Sequence, residues 1–326
     1  MFTLAHLSDP HLSPVPTPRF QELLGKRCLG YLSWSLRRKP IHAGPVLPAL
    51  VADLLTSRPD HIAVTGDIIN ISLPGEFIQA AGWLAGLGDS RHVTAIPGNH
   101  DAYVPIPWEQ SWALWAKNMG GLDASLSGDE RPVASVEDFP FVRLRGPLAI
   151  VGVSTARPMP PHSAAGRIGE AQLRRLRSCL AALAQKDICR VVLLHHPPLP
   201  GAARTRKHLH DAAAFRSVIA ETGAELILFG HTHVSVLGKL PTPAGEVPVI
   251  GVPSASARPH RHTDHARYHL YGIERDGPNW RIHVQVRGVA PSLDRFLTES
   301  RFSLTVPCLR PAGAAPPGLT TLPRAG

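Results

Sequence analysis

The sequence is short of several things, and each shortage removes a class of protein. Four cysteines in 326 residues (Cys28, Cys179, Cys189, Cys308) have neither metal-site spacing nor the density of a disulfide scaffold. They read as reduced thiols of a cytoplasmic protein. No apolar run approaches the ~20 residues that cross a bilayer. The opening Phe2-Thr3-Leu4-Ala5-His6-Leu7 lacks the basic start of a signal peptide. Aromatic residues make up only 6%, and no stripe of aromatic and basic side chains offers a platform for nucleic acid, which is therefore not expected as a partner. Acidic residues are outnumbered, 25 against 34 Lys and Arg, for a net charge of +9. The excess is local, because Arg19, Lys26, Arg27, Arg37, Arg38 and Lys39 stand against Glu22 alone between residues 19 and 42. Such a cluster suggests an anionic surface or substrate near one face. An oligomer stays open.

Apolar residues are plentiful at 44%, enough for a large core. Periodicity predicts strands at 2–7, 61–65, 92–96, 148–153, 190–194 and 225–229, alternating with helices at 46–55, 74–87, 107–119, 169–183 and 211–222. Four further strands follow at 234–240, 247–252, 267–274 and 280–287. Strands alternating with helices imply mostly parallel pairing, with ligands at the C-terminal strand ends. Residues 1–290 read as one domain with a basic insertion at 19–42. Residues 291–326, rich in Pro, Gly and Ala, read as a tail that is poorly ordered from Pro307.

Five short patches follow apolar runs: Asp9-Pro10-His11, Gly66-Asp67-Ile68-Ile69-Asn70, Gly98-Asn99-His100-Asp101, His195-His196-Pro197-Pro198 and Gly230-His231-Thr232-His233. Each is weak alone. Together they bring carboxylate, amide and imidazole ligands suited to Mn, Fe, Zn or Co, without distinguishing among them. Two such ions ~3.5–4 Å apart can hold a phosphate and activate a water. Gly66 and Gly98 suit tight turns beside the ions, and a bridging carboxylate offsets part of the repulsion between two cations.

This ordered set resembles the calcineurin-like metallophosphoesterase superfamily. The resemblance implies a four-layer α/β/β/α sandwich, two mixed sheets flanked by helices. It also implies two divalent or mixed-valent ions, one held by Asp9, His11, Asp67 and His233, the other by Asp67, Asn99, His195 and His231. Asp67 would bridge them. In the family the ligand of the histidine pair stands two before the proline, which selects His195 and leaves His196 outside the ligand set. The resemblance makes His100 the catalytic residue beside the phosphate. Asn70 stands where phosphoprotein phosphatases of the superfamily carry an aspartate, so it can orient His100 but supports imidazolium less well.

Gly166-Arg167-Ile168-Gly169 with Gln172-Leu173, and His195 to Pro200, resemble segments of bacterial class III cyclic-nucleotide phosphodiesterases. That implies a binuclear-metal phosphodiesterase acting through a metal-activated hydroxide on a small phosphodiester, with cyclic nucleotides or glycerophosphodiesters favoured. The alternative is a membrane-associated pyrophosphatase or phosphatase of a phospho-lipid such as a UDP-diacylglucosamine. It rests on residues 19–39, where Phe20, Leu23, Leu24, Cys28, Tyr31 and Leu32 follow helical spacing beside Arg37-Arg38-Lys39. Such a basic amphipathic helix can lie on an anionic membrane, which would place the protein peripherally on the inner face. It can equally pack on its own domain or cap the site. His260, His262, His265 and His269 read as loop histidines in solvent or near substrate phosphate rather than as a third metal site.

Overall fold

A computed structural model describes residues 1–42, 44–258 and 264–308. The fold is α/β, with two mixed six-stranded sheets flanked by helices. In the first sheet, β1 (Phe2–Leu7), β2 (His61–Val64) and β3 (Val93–Ala95) run parallel. Beside β1, the strands β10 (Arg267–Asp276), β11 (Asn279–Val289) and β12 (Phe296–Pro307) add antiparallel. The second sheet has the order β4 (Phe141–Arg145), β5 (Leu148–Gly152), β6 (Cys189–Leu193), β7 (Leu226–Phe229), β9 (Gly245–Gly251) and β8 (Val236–Thr242). The run from β5 to β9 is parallel. The buried strands are near-continuous apolar runs, as sheets covered on both faces require. A single hydrophobic cluster takes in both sheets, including Leu4, Val64, Val192 and Phe229.

The helices are amphipathic connectors. α1 (Lys26–Ser33) and α2 (Lys39–His42) belong to the basic insertion. α3 (Val46–Thr56) leads into β2, and α4 (Pro74–Leu87), started by a proline in its first turn, leads into β3. α5 (Glu170–Leu183) buries Leu173, Leu176, Leu180 and Leu183 before β6, and α6 (Ala212–Thr222) precedes β7.

Four sequence expectations change. The helix expected at 107–119 is instead two 3₁₀ segments, Trp108–Gln110 and Trp112–Met119, with non-helical angles at Trp115. Here tertiary contacts override periodicity: Trp115 packs on Phe77, and Trp112 Nε1 donates to the Asp101 carbonyl. Strand β4 was not expected, because its five residues carry two arginines. Arg143 is nonetheless buried, donating to carbonyls including Ser90 and Val93. The tail expected from residue 291 contains β12, which pairs with β11 as far as Pro307. Only Phe296 and Val306 of β12 are buried, so this edge strand lacks a strong apolar signal. Residues 309–326 of the expected tail lie outside the described residues.

The insertion is the fourth change. Phe20–Leu23 form a 3₁₀ turn, and Gly25 at φ 70° separates it from α1. A π turn, Trp34–Arg38, then joins α1 to α2. No described helix is long and apolar enough to cross a membrane.

Candidate metal centre

Parallel pairing of β1, β2 and β3 sets the loops after them side by side, and β6 with β7 does the same in the facing sheet. Backbone bonds lock these loops: Asp9 N donates to Gly66 O at 2.9 Å, His11 N to Asp67 O at 3.1 Å, and Gly230 N to His195 O at 3.2 Å. The sheets are tied across the gap, where His231 N donates to Asp9 Oδ2 at 2.9 Å. A Cβ at Gly98 would strike the Asp67 carboxylate, and one at Gly66 the backbone of Gly98. The backbone is also strained at this point. Asp9 (φ 53°), His11 (41°), Asp67 (52°), His231 (67°) and His233 (57°) all lie in the left-handed region. Each such residue costs about 1–3 kcal/mol, and strain of this kind collects where a site requires it.

The seven candidate ligands converge. His233 Nε2 lies 3.1 Å from Asp9 Oδ1 and 3.2 Å from His11 Nε2. His195 Nε2 lies 3.3 Å from Asp67 Oδ2, 3.2 Å from Asn99 Oδ1 and 3.2 Å from His231 Nδ1. Ligand atoms ~2.1 Å from a tetrahedral ion stand roughly 3.4 Å apart, so this spacing suits coordination. The far nitrogens are occupied. His195 Nδ1 meets Thr65 O at 2.7 Å, His231 Nε2 meets Lys207 O at 2.9 Å, and His11 Nδ1 meets Ile69 O at 3.3 Å. An imidazole donating to a carbonyl on one side presents a lone pair on the other, which is how metal-binding histidines are oriented.

The electrostatics agree. Burial, and then the neighbouring histidines, hold His231 and His11 well below the usual imidazole value and keep them neutral. Burial opposes charge on His195 too, yet Asp67, together with Asp9 and the Thr65 carbonyl, outweighs it and brings His195 up to about 9. Two buried carboxylates, Asp9 and Asp67, therefore favour positive charge between them. The Asp and His clusters fit a binuclear site.

His100 sits beside Asp67. Its backbone N donates to Asp67 Oδ1 at 2.6 Å, and its Nδ1 donates to the Asn70 carbonyl at 2.5 Å. The Asn70 side chain turns away, donating from Nδ2 to Leu12 O at 2.8 Å. Thus Asn70 orients His100 through its backbone, not its amide. Burial brings His100 down to about 4; Asp67 opposes this and Arg38 adds to it. Both nitrogens of His196 are engaged, Nδ1 by the Thr155 hydroxyl at 2.7 Å and Nε2 by Ala164 O at 3.1 Å.

Several residues at the site have a role that the sequence did not announce. Asp101 accepts from Gly98 N, Ile68 N and Ile69 N at 2.7–3.1 Å, fastening two motif loops together. Glu76 accepts from Asn70 N, Ile71 N and Leu73 N. Its place two residues into the helix after a motif was the available clue. His42 and Arg38 arrive from the insertion. His42 Nδ1 bonds Ser256 Oγ at 2.8 Å, and its ring lies 4.7 Å from His11. Of the histidines expected in a solvent loop, His269 is instead buried in β10, with Nδ1 3.1 Å from the Tyr271 hydroxyl. Strand pairing carries it inward. His265 meets Glu299 of β12, while His260 and His262 lie outside the described residues.

The profile of the calcineurin-like phosphoesterases matches residues 2–235. The chain belongs to that family. As a calcineurin-like phosphoesterase it is a metal-dependent phosphoric ester hydrolase. No match is found among curated proteins. Among solved structures, a dimetal phosphatase from Danio rerio aligns over 91% of this chain and 98% of its own, with 15% identity and a TM-score of 0.58. At that identity the likeness is one of fold. A 5′-nucleotidase precursor from Thermus thermophilus aligns over 94% of this chain and 54% of its own, with 14% identity and a TM-score of 0.43.

Proposed function

We propose that this phosphoesterase hydrolyses a phosphodiester bond of a small organic substrate in the cytoplasm. One ion would be held by Asp9, His11, Asp67 and His233, the other by Asp67, Asn99, His195 and His231. The observation that carries this reading is the orientation of the histidines. His11, His195 and His231 each spend one ring nitrogen on a backbone carbonyl; His11 turns the other toward Asp9, His195 toward Asp67, and His231 toward His195 Nε2. When bound, the two ions supply positive charge for phosphoryl oxygens and the acidity that makes a water nucleophilic near neutral pH. Asp67 is held in place by the His100 backbone N–H, and the His100 ring, fixed by Asn70 O, stands beside the space where a phosphate would lie. The preference for diesters, and for cyclic nucleotides or glycerophosphodiesters among them, rests on the resemblance of residues 166–173 and 195–200 to class III phosphodiesterases.

A second reading has its own support. Phe20, Leu24, Leu29, Leu32 and Leu36 are 50–85% exposed on the insertion. A cavity of about 620 Å³ lies behind the loop after the third motif, lined by Val104, Ile106, Trp108, Trp112 and Ile168. Both features suit a phosphate- or pyrophosphate-bearing lipid, such as a UDP-diacylglucosamine, met at an anionic membrane. A hydrolysis screen of Mn-loaded protein separates the readings, using bis(p-nitrophenyl) phosphate, p-nitrophenyl phosphate, cyclic AMP, 2′,3′-cyclic nucleotides and a UDP-linked lipid. Faster cleavage of the activated diester than of its monoester is expected. A strong monoesterase without diesterase activity would overturn the first reading.

A further inference from the structure

The insertion brings a guanidinium into the ligand cluster that the two-ion reading leaves unused. Arg38 closes the π turn Trp34–Arg38, a distortion that re-aims side chains and is common at functional sites. Its sequence neighbours Arg37 and Lys39 are exposed, whereas Arg38 turns inward. Arg38 Nη1 lies 3.2 Å from Nδ1 and 3.3 Å from Nε2 of His100. Its Nε is buried and has no hydrogen-bond partner among the described residues, and the Asp67 and Glu76 carboxylates act on it only from beyond ion-pair distance. A buried cation without a directly paired counter-anion is unfavourable, and it persists only where its surroundings hold it.

Those surroundings are specific. Trp34 is buried with Val15, Ile71 and Leu73. Lys26 Nζ donates to the carbonyls of Tyr103 and Met159, both at 2.9 Å, and Arg27 Nη2 donates to Ser72 O at 2.6 Å. A Cβ at Gly30 would fall 2.7 Å from the Tyr103 hydroxyl, so only glycine lets the helix approach this closely. The segment is thus clamped over the third motif with the Arg38 guanidinium pointing at His100. Two metal ions beside that cation would repel it, and an anion placed among all three would settle the arrangement. A phosphoryl group is the anion this site handles.

We propose that Arg38 is a substrate-binding residue, its guanidinium taking a non-bridging phosphoryl oxygen beside His100. The insertion then supplies a phosphate contact that the five motifs lack. The inference rests on the two-ion reading.

The test uses Arg38→Met and Arg38→Lys in the full Mn-loaded chain. Metal content is counted by mass spectrometry, inorganic phosphate affinity is measured by calorimetry, and KM and kcat are taken with bis(p-nitrophenyl) phosphate. Arg38→Met should keep two ions per chain and weaken phosphate binding roughly 10–100-fold, the range of a lost charged hydrogen bond. Arg38→Lys should recover part of that loss. The melting temperature of Arg38→Met should match or exceed the parent's, since an unpaired buried charge is gone. Unchanged phosphate affinity with both ions bound would overturn the proposal, as would a lower melting temperature with KM unchanged. If Arg38→Met fails to fold, Arg38→Lys decides: phosphate affinity at least threefold weaker than the parent's supports the contact, and equality removes it. Fewer than two ions in the parent protein would be a different result, the failure of the two-ion reading itself.

Discussion

The ligand cluster and the segment leaning over it hold their side chains in opposite ways. In the cluster the backbone does the work. Strand ends lie side by side, five candidate ligands sit in left-handed conformations, and carbonyls fix the imidazoles. The segment from Phe20 to His42 is held by a small satellite core around Trp34 and a few lysine and arginine contacts to carbonyls. It leaves a row of leucines in solvent. Over-determined geometry suits chemistry that tolerates little displacement. A lightly held, well-shaped segment suits the choice of what is admitted, since loops and insertions on a rigid scaffold are where binding varies.

The largest effect expected is on the cluster side. Asp67→Asn removes the carboxylate that the two-ion reading places between both ions. Turnover should fall by ~10³-fold or more, the scale of losing electrostatic stabilisation at the reacting centre. Mass spectrometry should find fewer than two ions per chain, with the melting temperature close to the parent's. Two ions and near-normal turnover in this variant would break the assignment of Asp67 as bridge.

Next in size is His42→Ala, which asks whether the segment belongs to the centre at all. His42 faces His11 and His233 from outside the five motifs. If it supports those ligands, metal affinity or turnover should drop ~10–100-fold, the usual consequence of removing an outer partner of metal ligands. An effect under twofold on both would confine the centre to the strand ends and sharpen the contrast between the two regions.

A smaller effect is expected at Glu76, whose carboxylate accepts three backbone N–H groups of the turn that carries Asn70. Glu76→Gln keeps the shape but can accept from fewer donors. Unfolding stability should fall by ~1–3 kcal/mol, the cost of leaving buried donors unmet. Because this turn presents the carbonyl that holds His100, kcat should fall while KM stays near the parent's. Denaturant unfolding and steady-state kinetics on one preparation check both parts.

How far the sequence could be read follows the same division. The motifs after β1, β2, β3, β6 and β7 were legible because strand, turn and candidate ligand are contiguous in the chain, and helices 74–87 and 169–183 because their apolar periodicity is strong. What was not legible depends on distant partners. Arg38 and Lys39 are adjacent basic residues whose opposite fates follow from a π turn that no local pattern announces. Asp101 looks like one more motif residue until its three backbone donors are seen. Strand β12 has too few buried positions to stand out. The tryptophans at 108, 112 and 115 keep helical spacing but are drawn into 3₁₀ turns by Phe77 and the Asp101 carbonyl.

The smallest effect concerns the outer side of the segment and decides between the two substrate readings. Leu29, Leu32 and Leu36 recur at helical spacing and are 50%, 55% and 70% exposed, so their apolar surface is not spent on the domain. Arg37 and Lys39 are exposed beside them. Against an anionic bilayer each such basic residue adds about 1 kcal/mol of attraction, weakened by salt. Arg38 is not part of this surface, because it points at His100. Replacing the three leucines by serine should therefore lower binding to phosphatidylglycerol vesicles and leave hydrolysis of bis(p-nitrophenyl) phosphate within ~2-fold, as expected of surface changes away from the site. Cosedimentation at low and high salt measures the first, and steady-state assay the second. Absence of vesicle binding by the parent at low salt, or binding that survives the triple replacement, would remove the membrane reading and leave a diesterase for soluble substrates.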